Sequence, residues 1–279
     1  MILITVTLVA SITINAYFLT QYAYLNIAKS DAEVKVDMIA TLTDAQANIS
    51  KELERIGESL VYASEQFATV GIVGNQADKI LSALAANSSF IINAATEDLN
   101  NTIVAVQPTT WRYIIGRNVG EQTHLNPNPV GEITPVMTPV VPVQSDMMGN
   151  ILTAPLFNLD KELIGYISVI FDPSTLIQFS VEQAIGDKSY ELVAMQLDGL
   201  MVYDSDPIQQ WRNMFTDPSY STYTSLLDLG HKIVETPSGY GTYSFNLVGS
   251  SEVAQKECYW TTISAYGEEW RLALNHAQT

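Results

Sequence analysis

The chain has 279 residues, enough for one large domain or two moderate ones with an ample core. Its 13 basic and 30 acidic residues give a net charge of −17, which argues against nucleic acid and against adhesion to anionic lipid through surface charge. The single cysteine, Cys258, excludes an internal disulfide, and in "KECYWTT" it alternates like a small buried strand residue.

Residues 1–28 contain no charged side chain. "MILITVTLVASITINAYFL" is long enough to cross a bilayer, which takes ~20 apolar residues. Tyr17, Phe18, Tyr22 and Tyr24 cluster at its end, as at a membrane interface. A cleaved signal peptide starts with basic residues, and none precede this run. The expectation is a membrane-anchor helix, with a buried core helix as the alternative. Sequons at Asn48, Asn87 and Asn100 point to an outside location for the chain beyond it.

Residues 29–73 read as one long stalk helix. Ile49, Leu53, Ile56, Leu60, Ala63, Phe67 and Val70 recur in steps of four and three, a heptad seam. Such a seam can pack along its own domains or along a second copy, so a homodimer through this helix is one expected partner. Gly71 and Gly74 stop it, and "NQADKILSALAAN" reads as a second helix.

Beyond residue 87 the pattern changes to short β-like runs between turn residues. "IINAATEDLNNTIVAVQP" and "LVAMQLDGLMVYDSDP" both read strand, polar tip, strand, proline. Each is followed later by a strand pair, "APLFNLDKELIGYISVIFD" and "ECYWTTISAYGEEWRLALNH". The echo predicts an α+β chain with two units, each built on an antiparallel sheet. The expected organisation is an anchor at 1–28, a stalk at 29–73, a distal unit at 74–185 and a proximal unit at 186–279. Asp198-Gly199 reads as a tight hairpin turn opening the second unit.

A long helix after a hydrophobic segment, a strand–turn–strand, "YIIGRNVGEQ", and then "PLFNLDKELIGYISVIFDPSTL" together resemble the double Cache (tandem PAS-like) extracellular sensor domain of histidine kinases and chemoreceptors. The resemblance covers about residues 29–276. It implies a sensor with a small-molecule ligand in the distal unit and no enzymatic activity. It places the Pro-rich stretch from His124 to Val143 at the ligand-facing loop and strands, making His124, Thr134, Met137 and Thr138 pocket candidates. Asp172, after "IGYISVIF", matches an aspartate that binds the ligand ammonium in amino-acid-sensing relatives, or else it caps the helix opened by Pro173. The Arg-x-Trp-Tyr stretch of those relatives would fall near 121–130, where this chain has "EQTHLNPNPV", so amino-acid specificity does not carry over.

Catalytic signatures (HExxH, GxSxG, Walker A, CxxC) are absent, and no cofactor is implied. Asp204 and Asp206 begin like a calcium loop, but "PIQQW" breaks the spacing, and Asp206 reads instead as an N-cap before a helix at Pro207. In "WRYIIG", Trp111 and Tyr113 could line a pocket and Arg112 could hold a carboxylate, against the plainer reading of an amphipathic turn. Tyr220, Tyr223, Tyr240 and Tyr243 could build a second pocket, although packing is the commoner use of such tyrosines. The leading function is an extracytoplasmic small-molecule sensor. The alternative is a membrane-tethered solute-binding or pilin-like surface protein without signalling.

Overall fold

The computed structural model describes residues 2–120, 132–144 and 147–278, and the side chains from residue 17 onward. By contacts the chain divides into two units, Met1–Thr41 and Leu42–Thr279. Helix α1 runs from Ile2 to Val70. Over residues 17–27 its apolar side chains, among them Phe18, Leu19, Tyr22 and Leu25, are exposed, whereas Met38 farther along is buried. Pairs at i,i+4, Lys29 with Glu33 and Lys35 with Asp31, lie farther along it and contribute a few tenths of a kcal/mol each at most. Among the described residues no helix is long and apolar enough to cross a membrane. The anchor expectation falls mostly on residues 1–16, whose side chains lie outside the described set.

In the second unit the predicted seam is the buried stripe of α1. Ile49, Leu53, Ile56, Leu60, Ala63 and Phe67 are all at most 3% exposed, while Val70 is half-buried. Six such side chains, each contributing about 1–3 kcal/mol on burial, fix the helix far more firmly than its propensity could. Polar side chains set its register. Gln46 donates to Thr262 O (2.7 Å) and Asn48 to Ser180 O (3.3 Å), while Arg55 donates to Asn87 O (3.1 Å). Helix α2 (Asn75–Ala86) comes next and buries Ala77, Leu81 and Leu84.

Two antiparallel sheets account for the rest. The first holds β1 (Ile91–Glu97), β2 (Ile103–Gln107), β3 (Val136–Met137), β4 (Val141–Gln144), β5 (Met147–Phe157) and β6 (Leu163–Phe171) in the order β2-β1-β6-β5-β3, with β4 also on β5. After α3 (Pro173–Ile185), the second holds β7 (Glu191–Gln196), β8 (Met201–Asp204), β9 (Gly239–Asn246), β10 (Val253–Ala265) and β11 (Glu268–Ala277), ordered β8-β7-β11-β10-β9. Each sheet therefore runs second strand, first, last, last but one, third. The fold is α+β, a long N-terminal helix followed by two PAS-like sheets, and the paired motifs of the sequence are the paired hairpins β1–β2 with β7–β8 and β5–β6 with β10–β11.

Strand alternation separates the faces of each sheet. In the first, Ala94, Leu152, Ala154, Ile167 and Val169 form a face at most 1% exposed. Thr96 lies on that side and donates to Ile72 O, just past α1 (2.7 Å). The opposite face carries Asn93, Ala95, Glu97, Ser168 and Ile170. In the second sheet Leu192, Leu272 and Leu274 are fully buried on one face, and Tyr266 in the β10–β11 turn sits against Gly57 of α1, where an added Cβ would collide with its ring. The other face of this sheet is covered by α4 (Thr224–Glu235) and the 205–223 segment.

Asp198-Gly199 makes the expected turn. Gly199 has φ +93°, a region that costs a side chain strain, and Asp198 Oδ1 accepts from Leu200 N (3.0 Å). The expected helix at Pro207 does not form. Trp211 N donates to Met201 O and Met201 N to Arg212 O, so the segment turns back alongside β8, and Asp206 instead accepts from Ile208 N within that turn. Long-range pairing with β8 outweighs the local proline signal. Cys258 is buried, and burial pushes its thiol up to about 12.

Candidate functional site

The outward face of the first sheet is the floor of a cleft. Asn93, Ala95 and Glu97 of β1 and Ser168 and Ile170 of β6 form the floor. The wall comes from a 3-10 helix, Thr109–Ile114, which sets Trp111 and Ile114 against Ala95, Ile103 and Val106, with Val119 beyond. Arg117 and the β4 residues Val141, Pro142 and Val143 close the rim. The cavity itself is a narrow slot of about 60 Å³, open at its mouth.

Glu97 is the unusual group here. It is 2% exposed, and Ser168 Oγ donates to its Oε1. Among the described residues Oε2 has no partner, and neither has Asn93 Nδ2 on the same strand face. Burial pushes the Glu97 carboxyl up to about 8, against the Ser168 bond that pulls it down. An unpaired buried polar group costs about 1–3 kcal/mol. Residues four apart on a strand stand roughly 13 Å apart, so the two orphans mark opposite ends of the floor.

The residues singled out from the sequence are scattered over several environments. Trp111 lines the cleft. Tyr113 stacks on Trp111 (centroids 5.8 Å apart), is largely exposed, and its hydroxyl accepts from Gln144 Nε2. Arg112 turns away to Asp78 of α2 (3.7 Å). Thr134 is exposed. Met137 and Thr138 are buried at the seam between the sheets, where Met137 N donates to Tyr266 O (2.9 Å) and Thr138 accepts from Asn150 Nδ2 (2.7 Å). Asp172 sits at the N-cap of α3: Oδ1 accepts from Ser174 N and Thr175 N, and Oδ2 from the Thr175 hydroxyl. His124 lies outside the described residues. Sequence reasoning missed Asn93, Glu97, Arg117 and Ser168. The signal was present in "IINAATE", where polar residues at 93 and 97 interrupt one face of an otherwise apolar strand.

Among the tyrosines, Tyr220 and Tyr243 line a separate cleft in the second sheet. Tyr223 packs on Phe245 and bonds Asn246, and Tyr240 bonds Glu257 on the opposite face.

Comparison with known proteins agrees with this architecture. Residues 51–173 match the family model described as HK/GC/chemotaxis protein-like, sensor domain. An extracellular ligand-binding receptor from Desulfohalobium retbaense superposes with a TM-score of 0.70 at 25% identity, over 85% of this chain and 39% of that one. This chain thus spans well under half of that receptor. The Campylobacter jejuni chemoreceptor Tlp3 sensory domain, solved with isoleucine bound, gives 0.62 at 10% identity over 90% and 95% of the two chains. The Pseudomonas aeruginosa PAO1 amino-acid chemoreceptor PctC ligand-binding domain, solved with GABA, gives 0.57 at 13% identity over 88% and 100%. No curated protein matches the sequence. The described chain shares the fold of these tandem PAS-like sensor domains, and its residues 51–173 match the sensor-domain family of histidine kinases and chemoreceptors.

Proposed function

We propose that this domain is the extracytoplasmic part of a membrane receptor and takes a small-molecule ligand in the cleft of the unit at 74–185. The observation that carries this is the pair of orphaned, buried polar atoms, Asn93 Nδ2 and Glu97 Oε2, on the floor of an otherwise apolar cleft. A ligand that offers acceptors to Asn93 Nδ2 and to the protonated Glu97 carboxyl would offset their desolvation cost. Trp111 offers a flat apolar wall, and Arg117 at the rim suits a ligand acceptor. The uncharged segment 1–28 supports a membrane anchor, as do the exposed apolar side chains just beyond residue 16. The apolar seam of the stalk at 29–73 is consumed inside the chain, so a homodimer through this helix would use its other face, where Val36, Ile39 and Tyr62 are exposed.

Signalling requires two states with different ligand affinity. The seam between the units suits such a change, because Val140 N donates to Gln196 Oε1 (2.6 Å) and Met137 N reaches Tyr266 O. A ligand that closes the cleft over β4 would pull on β3, and β3 is held by residues of the second sheet. The filament-like alternative rested on the hydrophobic N-terminus alone and gains no support here. The test is a metabolite melt screen on the full chain. One narrow ligand class should raise its stability by about 2.7 kcal/mol at a hundredfold excess over Kd. A screen without a shift on well-folded protein, or a shift unchanged in Glu97→Gln, overturns the assignment.

A further inference from the structure

The second sheet has a cleft of its own, a cavity of about 50 Å³ open at its mouth, between the sheet face and α4. Its deep part is apolar: Met195, Met201, Met214, Leu229 and Ile233 line it. Gly230 of α4 allows Met214 to lie flat there, since a Cβ would come within 2.4 Å of its sulfur. The shallow end is polar and rich in acid. Glu191, Asp204 and Asp206 face one buried cation, Lys256, which is 1% exposed and donates to Glu191 Oε2. The other cation of the lining, Arg271, is occupied by Ile233 O, Val234 O and Glu269. Asp204 and Asp206 therefore form no ion pair among the described residues. Asp204 accepts only from Asp206 N, and burial first, then Asp206 and Glu191, push it up to about 7.

A second observation points into the same space. Tyr243 is 6% exposed and lines the cleft, and its hydroxyl makes no hydrogen bond to a described residue. Burial raises it with no hydrogen bond to offset the cost. Beside it stand the rings of Tyr220 and Phe245. Carboxylates in excess of cations, an unpaired phenol and aromatic faces are the surroundings an ammonium group seeks. The methionine and leucine floor beyond them fits a short alkyl body, and methionine adapts to its shape.

We propose that this proximal cleft is a second ligand site, taking a compact primary ammonium with a short apolar body. The ammonium would sit at Asp204 and the Tyr243 hydroxyl, and its chain would run toward Met195 and Leu229. This site shares no lining residue with the distal cleft, so it stands whether or not that one binds.

The test is calorimetric titration of the full chain with n-butylammonium, and with valerate as its carboxylate counterpart. Saturable binding of butylammonium but not valerate is expected. Asp204→Asn, which keeps the acceptor for Asp206 N, should weaken it at least ~10-fold. Tyr243→Phe removes a hydroxyl the fold does not use, and should weaken it by ~3-fold or more with an unchanged melting temperature. Glu97→Gln in the distal cleft should leave it unaltered. Equal binding of valerate overturns the proposal. So does loss of butylammonium binding in Glu97→Gln with retention in Asp204→Asn and Tyr243→Phe, or no saturation up to ~10 mM.

Discussion

The two sheets repeat one strand order, and each carries a cleft on the face opposite its most buried one, yet the two clefts treat buried polar groups differently. The floor of the first sheet's cleft leaves the Asn93 amide nitrogen and a Glu97 carboxyl oxygen with no partner among the described residues. The proximal cleft pairs its buried lysine with Glu191 and packs the rest around methionine and aromatic side chains. The fold alone needs neither arrangement, since the inward faces of both sheets are closed by plain aliphatic packing. Where one architecture occurs twice in a chain, the outward faces are free to diverge, and unpaired polarity on them marks function better than pocket size does. By that measure the distal cleft is the more open to a ligand, and the proximal one combines a self-satisfied ion pair with an unmatched surplus of acid.

The largest effect that would sharpen this contrast is a pH dependence. Glu97 holds a proton in the folded state up to about pH 8 that the unfolded chain releases near 4.5. The folded state binds more protons across that window, so stability is highest below it and is lost as pH rises toward 8. The loss amounts to about 5 kcal/mol. Asp204, raised from 3.8 to about 7, adds a step of the same sign from the proximal unit. Denaturant titrations between pH 4 and 9 should show a fall in stability that Glu97→Gln reduces and that Glu97→Gln with Asp204→Asn nearly abolishes. A flat wild-type profile would remove the electrostatic difference between the two clefts.

Next in size is the proximal ion pair. Lys256→Met leaves Glu191 beside Asp204 without its cation, and should cost about 3 kcal/mol of stability at pH 7. Its distal counterpart, Ser168→Ala, removes one neutral donor from Glu97 and should cost about 1 kcal/mol, shifting the acidic titration step upward. Comparable losses in the two variants would mean that the polar groups of the two clefts do the same structural work.

Periodicity is the source of everything legible in the sequence. The Ile49–Phe67 seam, the hairpin at Asp198-Gly199 and the twofold recurrence of strand pairs are local patterns, with spacings set by helix and strand geometry. The cleft is not local. Glu97 meets Ser168 across 71 positions, and nothing near either residue signals the other. Trp111 was legible because an aromatic in a Pro-bounded turn must pack on something. Its neighbour Arg112 was not, because its partner Asp78 lies on another element. The prolines at 135, 139 and 142 kept the described part of that stretch out of helices, but alternation could not tell that Met137 and Thr138 would be consumed in the seam between the two sheets.

Asp172 gives the smallest effect and the sharpest choice between two roles. Its carboxylate already accepts from two backbone N–H groups and two hydroxyls at the start of α3, and it is absent from the walls of the distal cleft. A side chain so engaged would have to surrender several bonds to hold a ligand ammonium. Asp172→Ala should therefore cost about 1 kcal/mol of stability through loss of the cap. Asp172→Asn or Asp172→Ser, which keep a capping oxygen, should recover most of it. The affinity of any ligand found for the distal cleft should stay within about twofold in all three variants, since a lost charged contact would cost tenfold or more. If Asp172→Asn folds normally yet loses the ligand, the aspartate turns toward the cleft on binding and the cap is a resting position. The ligand contacts at Asn93 and Glu97 would then belong to a floor that works together with α3.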